Sequence, residues 1–272
     1  MTRKDCRFFG LLAAGLVLGA LALDCRLRVV RYEVTTAEVT SPVRLAVLTD
    51  LHSCAYGENQ QRLLDAVYAE KPDLVALVGD IVDDVLPEEN AWITVEALTE
   101  KYPCFYVTGN HEWWTEEIKR ICSQMTSYGV TVLRGDGGEV TVQGEMLSLW
   151  GIDDPESGES GAQLRAVGEQ AQEEGFHILL AHRPEQIEIY TQYPFDLILS
   201  GHAHGGQWRL PGLVNGLYAP HQGLFPEYAG GRYDLEDTIL LVSRGLARES
   251  TRMLPRIFNR PELVMVEIRP ES

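Results

Sequence analysis

The sequence predicts an α/β domain. Short apolar, β-branched runs recur from residue 31 onward, helix-spaced amphipathic segments separate them, and the runs end in polar or glycine-containing clusters. With 272 residues, 45% of them hydrophobic, the chain can bury a full core, as one domain of about 240 residues or two small ones.

The first element belongs to a different regime. Phe8 to Leu23 is an unbroken run of sixteen apolar or glycine residues, preceded by Arg3, Lys4 and Arg7 and followed by Asp24, Arg26, Arg28 and Arg31. As a helix it would reach roughly 24 Å at 1.5 Å per residue, a little short of a hydrocarbon core of about 30 Å. Residues 1–31 are therefore expected to be an N-terminal hydrophobic helix acting as a membrane anchor or signal segment, with 32–272 as the folded domain. An uncleaved single-pass anchor with the domain outside the cytoplasm is preferred over secretion after cleavage near Ala20-Leu21-Ala22.

Strands are expected at Val43–Leu48, Leu74–Val78, Phe105–Thr108, Leu147–Gly151, His177–Ala181, Leu197–Ser200, Ile239–Ser243 and Leu263–Ile268. Helical spacing covers Gln60–Glu70, Ala91–Lys101, Thr115–Ser127 and Gln163–Glu174. Val130–Arg134 and Glu139–Val142, separated by Gly135-Asp136-Gly137-Gly138, read as an inserted hairpin that would make the sheets mixed. Asp153–Gly161 reads as an exposed loop.

Charge and cysteine usage argue against three classes. Twenty-three Lys and Arg against 40 Asp and Glu leave −17, which argues against a nucleic-acid partner. Residues 1–31 carry six basic and two acidic groups, so the rest of the chain carries −21. Five cysteines without a C-x-x-C pair give neither a disulfide framework nor a thiolate zinc site. Any phosphate chemistry must draw its positive charge locally.

The strand ends supply a means. In an α/β sheet, ligands gather at the carboxyl edge. Past the expected strands stand Asp50-Leu51-His52, Gly79-Asp80-Ile81-Val82-Asp83, Gly109-Asn110-His111-Glu112, His182, and Gly201-His202-Ala203-His204. Asp50 and His52, two apart on an extended segment, point to one side and could grip one cation. Five of the seven histidines fall in these turns, and turns do not need imidazoles. His177, inside a strand, and His221, in a Pro/Gly-rich loop, read as hydrogen-bonded or surface imidazoles.

These blocks, in this order over residues 50–204, resemble the calcineurin-like metallophosphoesterase superfamily. Gly205-Gly206-Gln207, Arg209-Leu210-Pro211 and Arg260-Pro261-Glu262 are similar to its bacterial membrane-anchored subgroup of phosphodiesterases and lipid-sugar pyrophosphatases. Ala203 and Ala247 depart from that subgroup at positions that are not ligands. The resemblance implies two mixed β-sheets packed as a sandwich flanked by helices. It also implies two divalent metal ions, manganese, iron or zinc, one held by Asp50, His52, Asp80 and His204, the other by Asp80, Asn110, His182 and His202. Asp80 would bridge them, a metal-bridging hydroxide would attack phosphorus, His111 would serve the leaving oxygen, and Asp83 would orient His111. Asp83 also reads as a capping aspartate.

Substrate is signalled less directly. Trp113 and Trp114 read first as packing under the next helix, with a cover over the substrate or a place in the membrane interface as alternatives. Arg244, Arg248, Arg252 and Arg256 recur every four residues, though Gly245 and Pro255 weaken a helix there; one of them could clamp a second phosphate. An anchor raises the effective concentration of lipid-borne substrates, so a phospholipid or lipid-linked pyrophosphate is the first expectation. A phosphoprotein or nucleotide phosphohydrolase is the alternative, and an inactive scaffold the third reading.

Overall fold

Two six-stranded mixed sheets carry the chain in the computed structural model, which describes residues 15–171, 175–248 and 255–271. The first sheet runs β1 (Arg28–Thr36), β14 (Glu262–Pro270), β2 (Val43–Leu48), β3 (Leu74–Val78), β4 (Cys104–Val107), β5 (Thr131–Val132). The second runs β12 (Gly231–Asp234), β13 (Ile239–Val242), β9 (Leu197–Ser200), β8 (His177–Leu180), β7 (Glu145–Gly151), β6 (Asp136–Val142). A two-stranded ribbon pairs β10 (Tyr218–Ala219) with β11 (Gly223–Leu224). Helices are α1, described over residues 15–22, α2 (Gln61–Glu70), α3 (Glu89–Thr99), α4 (Asn110–Trp114), α5 (Ile118–Ser127), α6 (Ser160–Gln170) and α7 (Ile187–Tyr190).

The two-residue side-chain period of a strand divides the core into three layers. Leu45, Val47, Leu74, Ala76 and Val78 of the first sheet face Leu147, Leu149, Ile178, Leu180, Leu197 and Leu199 of the second in the central layer. The intervening residues Ala46, Leu48, Val75 and Leu77 pack outward against Leu63, Val67, Val95, Leu98 and Ile121 of the helices α2, α3 and α5. On the far side, Leu179 and Ile198 meet Leu164 and Val167 of α6 and Ile187 of α7. Strands covered on both faces read as unbroken apolar runs. All five residues of β3 are buried.

Several sequence expectations shift. Val130–Arg134 is not half of a hairpin: Thr131 and Val132 pair with β4 in parallel at the end of the first sheet, and the hairpin is β6–β7. Its turn is Gln143-Gly144, both at positive φ, the backbone that a two-residue turn needs. β1 escaped the apolar pattern because Arg28, Arg31 and Glu33 interrupt its apolar residues, and it begins inside the expected anchor segment. Thr115–Ser127 starts only at Ile118, after α4. Gln163–Glu174 is α6, begun earlier, and its last residues, 172–174, lie outside the described residues. In Asp153–Gly161, Asp153 and Asp154 are buried rather than exposed, because Arg134 and Arg183 pair with them.

Among the described residues no helix is long and apolar enough to cross a membrane. Of the run Phe8–Leu23, residues 8–14 lie outside the described residues, and residues 15–22 are helical with Leu16, Val17, Leu18 and Leu21 exposed.

Candidate metal centre

β2, β3 and β4 are mutually parallel, as are β7, β8, β9 and β13. Each set therefore delivers its carboxyl ends to one rim, and contacts across the sandwich bring the two rims together. The His202 amide donates to Asp50 Oδ1 at 2.9 Å, and His182 Nδ1 lies 2.8 Å from the Val78 carbonyl.

Six of the residues singled out at strand ends converge there. Ligand atoms of Asp50, His52, Asp80 and His204 lie within 4.8 Å of one another, and those of Asp80, His182 and His202 form a second such group. Asp80 belongs to both. Its Oδ2 is 3.2 Å from His182 Nε2 and 3.6 Å from His52 Nε2, while His204 Nε2 is 3.5 Å from Asp50 Oδ1. Asn110 is buried beside them at the start of α4. Five buried polar atoms at this rim have no hydrogen-bond partner: Asp50 Oδ2, His52 Nε2, Asp80 Oδ2, Asn110 Oδ1 and His182 Nε2. Unsatisfied buried polar atoms are costly. Here each is an oxygen or imidazole nitrogen, the donor set that divalent cations take, so the residues fit a metal centre. Asp50, His52, Asp80, His202 and His204 also sit at positive φ, a strained backbone that survives only where the surroundings enforce it.

The supporting contacts fix the donor atoms. With His182 Nδ1–H given to Val78 and His52 Nδ1 held 2.9 Å from Asp83 Oδ1, both rings turn Nε2 toward the cluster. Two glycines permit the close approach: a side chain at Gly109 would strike the Asp80 carboxylate, and one at Gly201 the Asp50 carboxylate. Glu112, fully buried on α4, accepts the amides of Asp80, Ile81, Val82 and Gly109 at 2.7–3.0 Å and clamps the β3 and β4 loops together.

Electrostatics follow from burial and these carboxylates. Burial holds His202 and His204 well below the ordinary histidine pKa, in the neutral form that binds cations. For His182, burial opposes charge but the Asp80 and then the Asp50 carboxylate outweigh it, up to about 10. Burial likewise opposes charge on His111, yet Asp80 and the hydrogen-bonded Asp83 bring its pKa up to about 9.

His111 Nδ1 lies 3.1 Å from Asp83 Oδ1 and 2.8 Å from Asp84 Oδ1, and Asp83 Oδ2 accepts the amides of Val85 and Leu86. Asp83 thus touches both His52 and His111 and also caps its own loop. Asp84 was missed, because nothing in its spacing tells it from a surface acid. The cleft over the cluster is lined by His52, Asp80, Asn110, His111, His202 and His204, and around them by Leu86, Trp114, His221, Arg248 and Arg256.

Other expectations change place. Trp114 does not pack under a helix: it is 40% exposed, with its ring 4.6 Å from that of His111. Trp113 turns inward and donates to Thr108 Oγ1. His221 is, as read, an exposed and hydrogen-bonded imidazole, with Nδ1 3.0 Å from His202 Nε2 and 2.6 Å from Arg183, and it also lines the cleft. Arg183, buried against Asp154, carried no sequence signal beyond following His182. Arg244, Arg248 and Arg256 lie on no helix; Arg248 and Arg256 line the cleft, Arg244 pairs with Glu262, and Arg252 lies outside the described residues. His177 is hydrogen-bonded inside its strand, accepting from Trp150 Nε1 at 3.1 Å, as expected.

Comparison with known proteins gives a consistent picture. The model of the family described as calcineurin-like phosphoesterase matches residues 43–206. The chain is 30% identical over 235 residues to phosphodiesterase YaeI of Escherichia coli (strain K12), covering 84% of this chain and 83% of that one. It is 28% identical over 232 residues to the uncharacterized metallophosphoesterase YkuE of Bacillus subtilis (strain 168), covering 83% and 79%. Phosphopantetheinyl hydrolase PptH of Mycobacterium tuberculosis has the same fold, with a TM-score of 0.54 over 82% of this chain and 96% of that one at 15% identity.

Proposed function

The chain belongs to the calcineurin-like phosphoesterase family and is a metal-dependent hydrolase of phosphoester bonds; from that premise we propose a binuclear phosphodiesterase or pyrophosphatase acting on a membrane-associated phospholipid or lipid-linked pyrophosphate. The observation that carries the binuclear reading is the set of five partnerless buried donors gathered around the Asp80 carboxylate. Asp50, His52, Asp80 and His204 would hold one divalent ion, and Asp80, Asn110, His182 and His202 the other. Bound ions lower the pKa of a shared water and offset charge on phosphoryl oxygens. Manganese, iron and zinc all suit this thiolate-free donor set.

The chain's own residues do the rest. His111, held at Nδ1 by Asp83 and Asp84, would keep Nε2 for the oxygen that departs and give it a proton as general acid. Arg248 and Arg256 place positive charge in the same cleft, where guanidinium groups suit the non-bridging oxygens of a phosphate. Trp114 and Leu86 give the cleft lining apolar surface, which favours a substrate that is not all phosphate and sugar.

Residues 1–31 are proposed to carry the membrane anchor, their last four, Arg28–Arg31, already pairing in β1, with 32–272 as the catalytic domain outside the cytoplasm; secretion after cleavage is the alternative. The subgroup resemblance and the apolar run Phe8–Leu23 support this. The test uses the purified full chain. A chromogenic diester, a monoester and a nucleoside pyrophosphate are compared with and without chelator. Hydrolysis of the diester that chelator abolishes supports the reading, and a preference for the nucleoside pyrophosphate moves it toward a nucleotide phosphohydrolase. A preference for the monoester moves it toward a phosphoprotein phosphatase. Fewer than one bound metal per chain, with no activity on added manganese, leaves only the scaffold.

A further inference from the structure

We propose that the segment from Leu210 to Phe225 inserts into a lipid surface beside α1, so that the metal cleft opens toward the bilayer. The site's use of a lipid-borne substrate rests on the reading above, whereas the lipid contact rests on the following residues.

These sixteen residues contain no Asp, Glu, Lys or Arg, in a chain with 63 such residues and a net charge of −17. Nor are their apolar side chains hidden: Leu213 is 86% exposed, Leu224 68%, Phe225 66% and Leu210 51%. The segment is built rather than loose. The Val214 amide closes a turn on Leu210, Tyr218 pairs with Leu224 across the β10–β11 ribbon, and the Phe225 amide donates to Leu217. Large exposed apolar patches on such a frame mark a contact surface.

Its position selects the occupant. Trp208, just before the segment, bridges to Ile257, and the neighbouring Phe258 amide donates to the Ala22 carbonyl at the end of α1. The two exposed apolar elements are thus joined through one backbone segment, and α1 is the described end of the run Phe8–Leu23. Gln207, Pro220 and Arg256, on the same two segments, line the cleft. Trp208 and Tyr218 are residue types that settle at a membrane–water boundary, and Phe225 is one that enters the hydrocarbon. The acidic body is repelled by anionic headgroups, so the contact must be apolar insertion and insensitive to salt.

The test places tryptophan at the tips. Full-length chains carrying Leu213→Trp or Leu224→Trp are mixed with phosphatidylcholine vesicles whose acyl chains carry bromine, and fluorescence is compared with that on unbrominated vesicles and with the parent chain. The expected result is additional quenching of the introduced indole, unchanged at high salt. Absence of additional quenching at both positions overturns the proposal. If the same chains are also dimeric without lipid, the patch belongs to a second copy instead. Hydrolysis of the chromogenic diester is measured on the same samples. Its failure in every chain, parent included, removes the hydrolase reading while leaving the quenching result to stand on its own.

Discussion

Glu112→Gln isolates the brace of the site from its ligands. The carboxylate accepts four amides, those of Ile81 and Val82 on Oε1 and those of Asp80 and Gly109 on Oε2. An amide side chain keeps one acceptor oxygen, so two of the four N–H groups face an NH₂ and lose their partner in a site without solvent. At about 1–3 kcal/mol for each buried donor left unsatisfied, the loss is about 2–6 kcal/mol. Relief of repulsion with the neighbouring Asp80 carboxylate opposes this, but it is one interaction against two lost charge-assisted bonds. The assay is urea unfolding in excess chelator, which removes stabilisation by bound ions. The midpoint should fall with the slope unchanged, and metal affinity should fall as well, because the clamped loops carry Asp80 and Asn110. A variant within about 0.5 kcal/mol of the parent, the range of ordinary surface changes, would refute the clamp.

Three further predictions concern other groups. His111→Ala should keep the parent metal content and lose turnover by about 10²–10⁴-fold; normal turnover on the diester would remove its role. Asp83→Asn, which weakens contacts to both His52 and His111, should lower metal affinity by about 10–100-fold by metal titration, whereas a purely capping aspartate would change stability alone. Burial pushes the Cys104 thiol up to about 12 and the Cys122 thiol up to about 11. The thiolate form is therefore absent below those values and grows only as pH rises toward them, so both should resist iodoacetamide at pH 8 in the folded chain and react on unfolding, as mass spectrometry of labelled peptides would show.

The strands that are buried on both faces were legible because burial on both sides leaves an apolar run, as in Leu74–Val78. β1 was not, since its partner β14 rather than its own pattern makes it a strand. The β6–β7 turn was misplaced because a cluster of glycines at 135–138 outweighed the single Gly144, where positive φ is needed to turn the chain. Ligand chemistry was legible in the site because histidine and aspartate at strand ends have few structural reasons to recur. Its supports were hidden for the opposite reason. Asp84, Arg183 and His221 gain their roles only when separate loops meet. Glu112 left one local trace, since a glutamate three residues after the start of a helix reaches back to the Gly109 amide as in a capping box.

The central claim is that Asp80 stands between two cations. Anomalous diffraction from a crystal of the chain soaked in manganese tests it most directly. Two peaks about 3.5–4 Å apart are expected, with Asp80 touching both, Asp50, His52 and His204 on one side and Asn110, His182 and His202 on the other. A single peak, or ions bound elsewhere while these seven side chains stay unliganded, would contradict it.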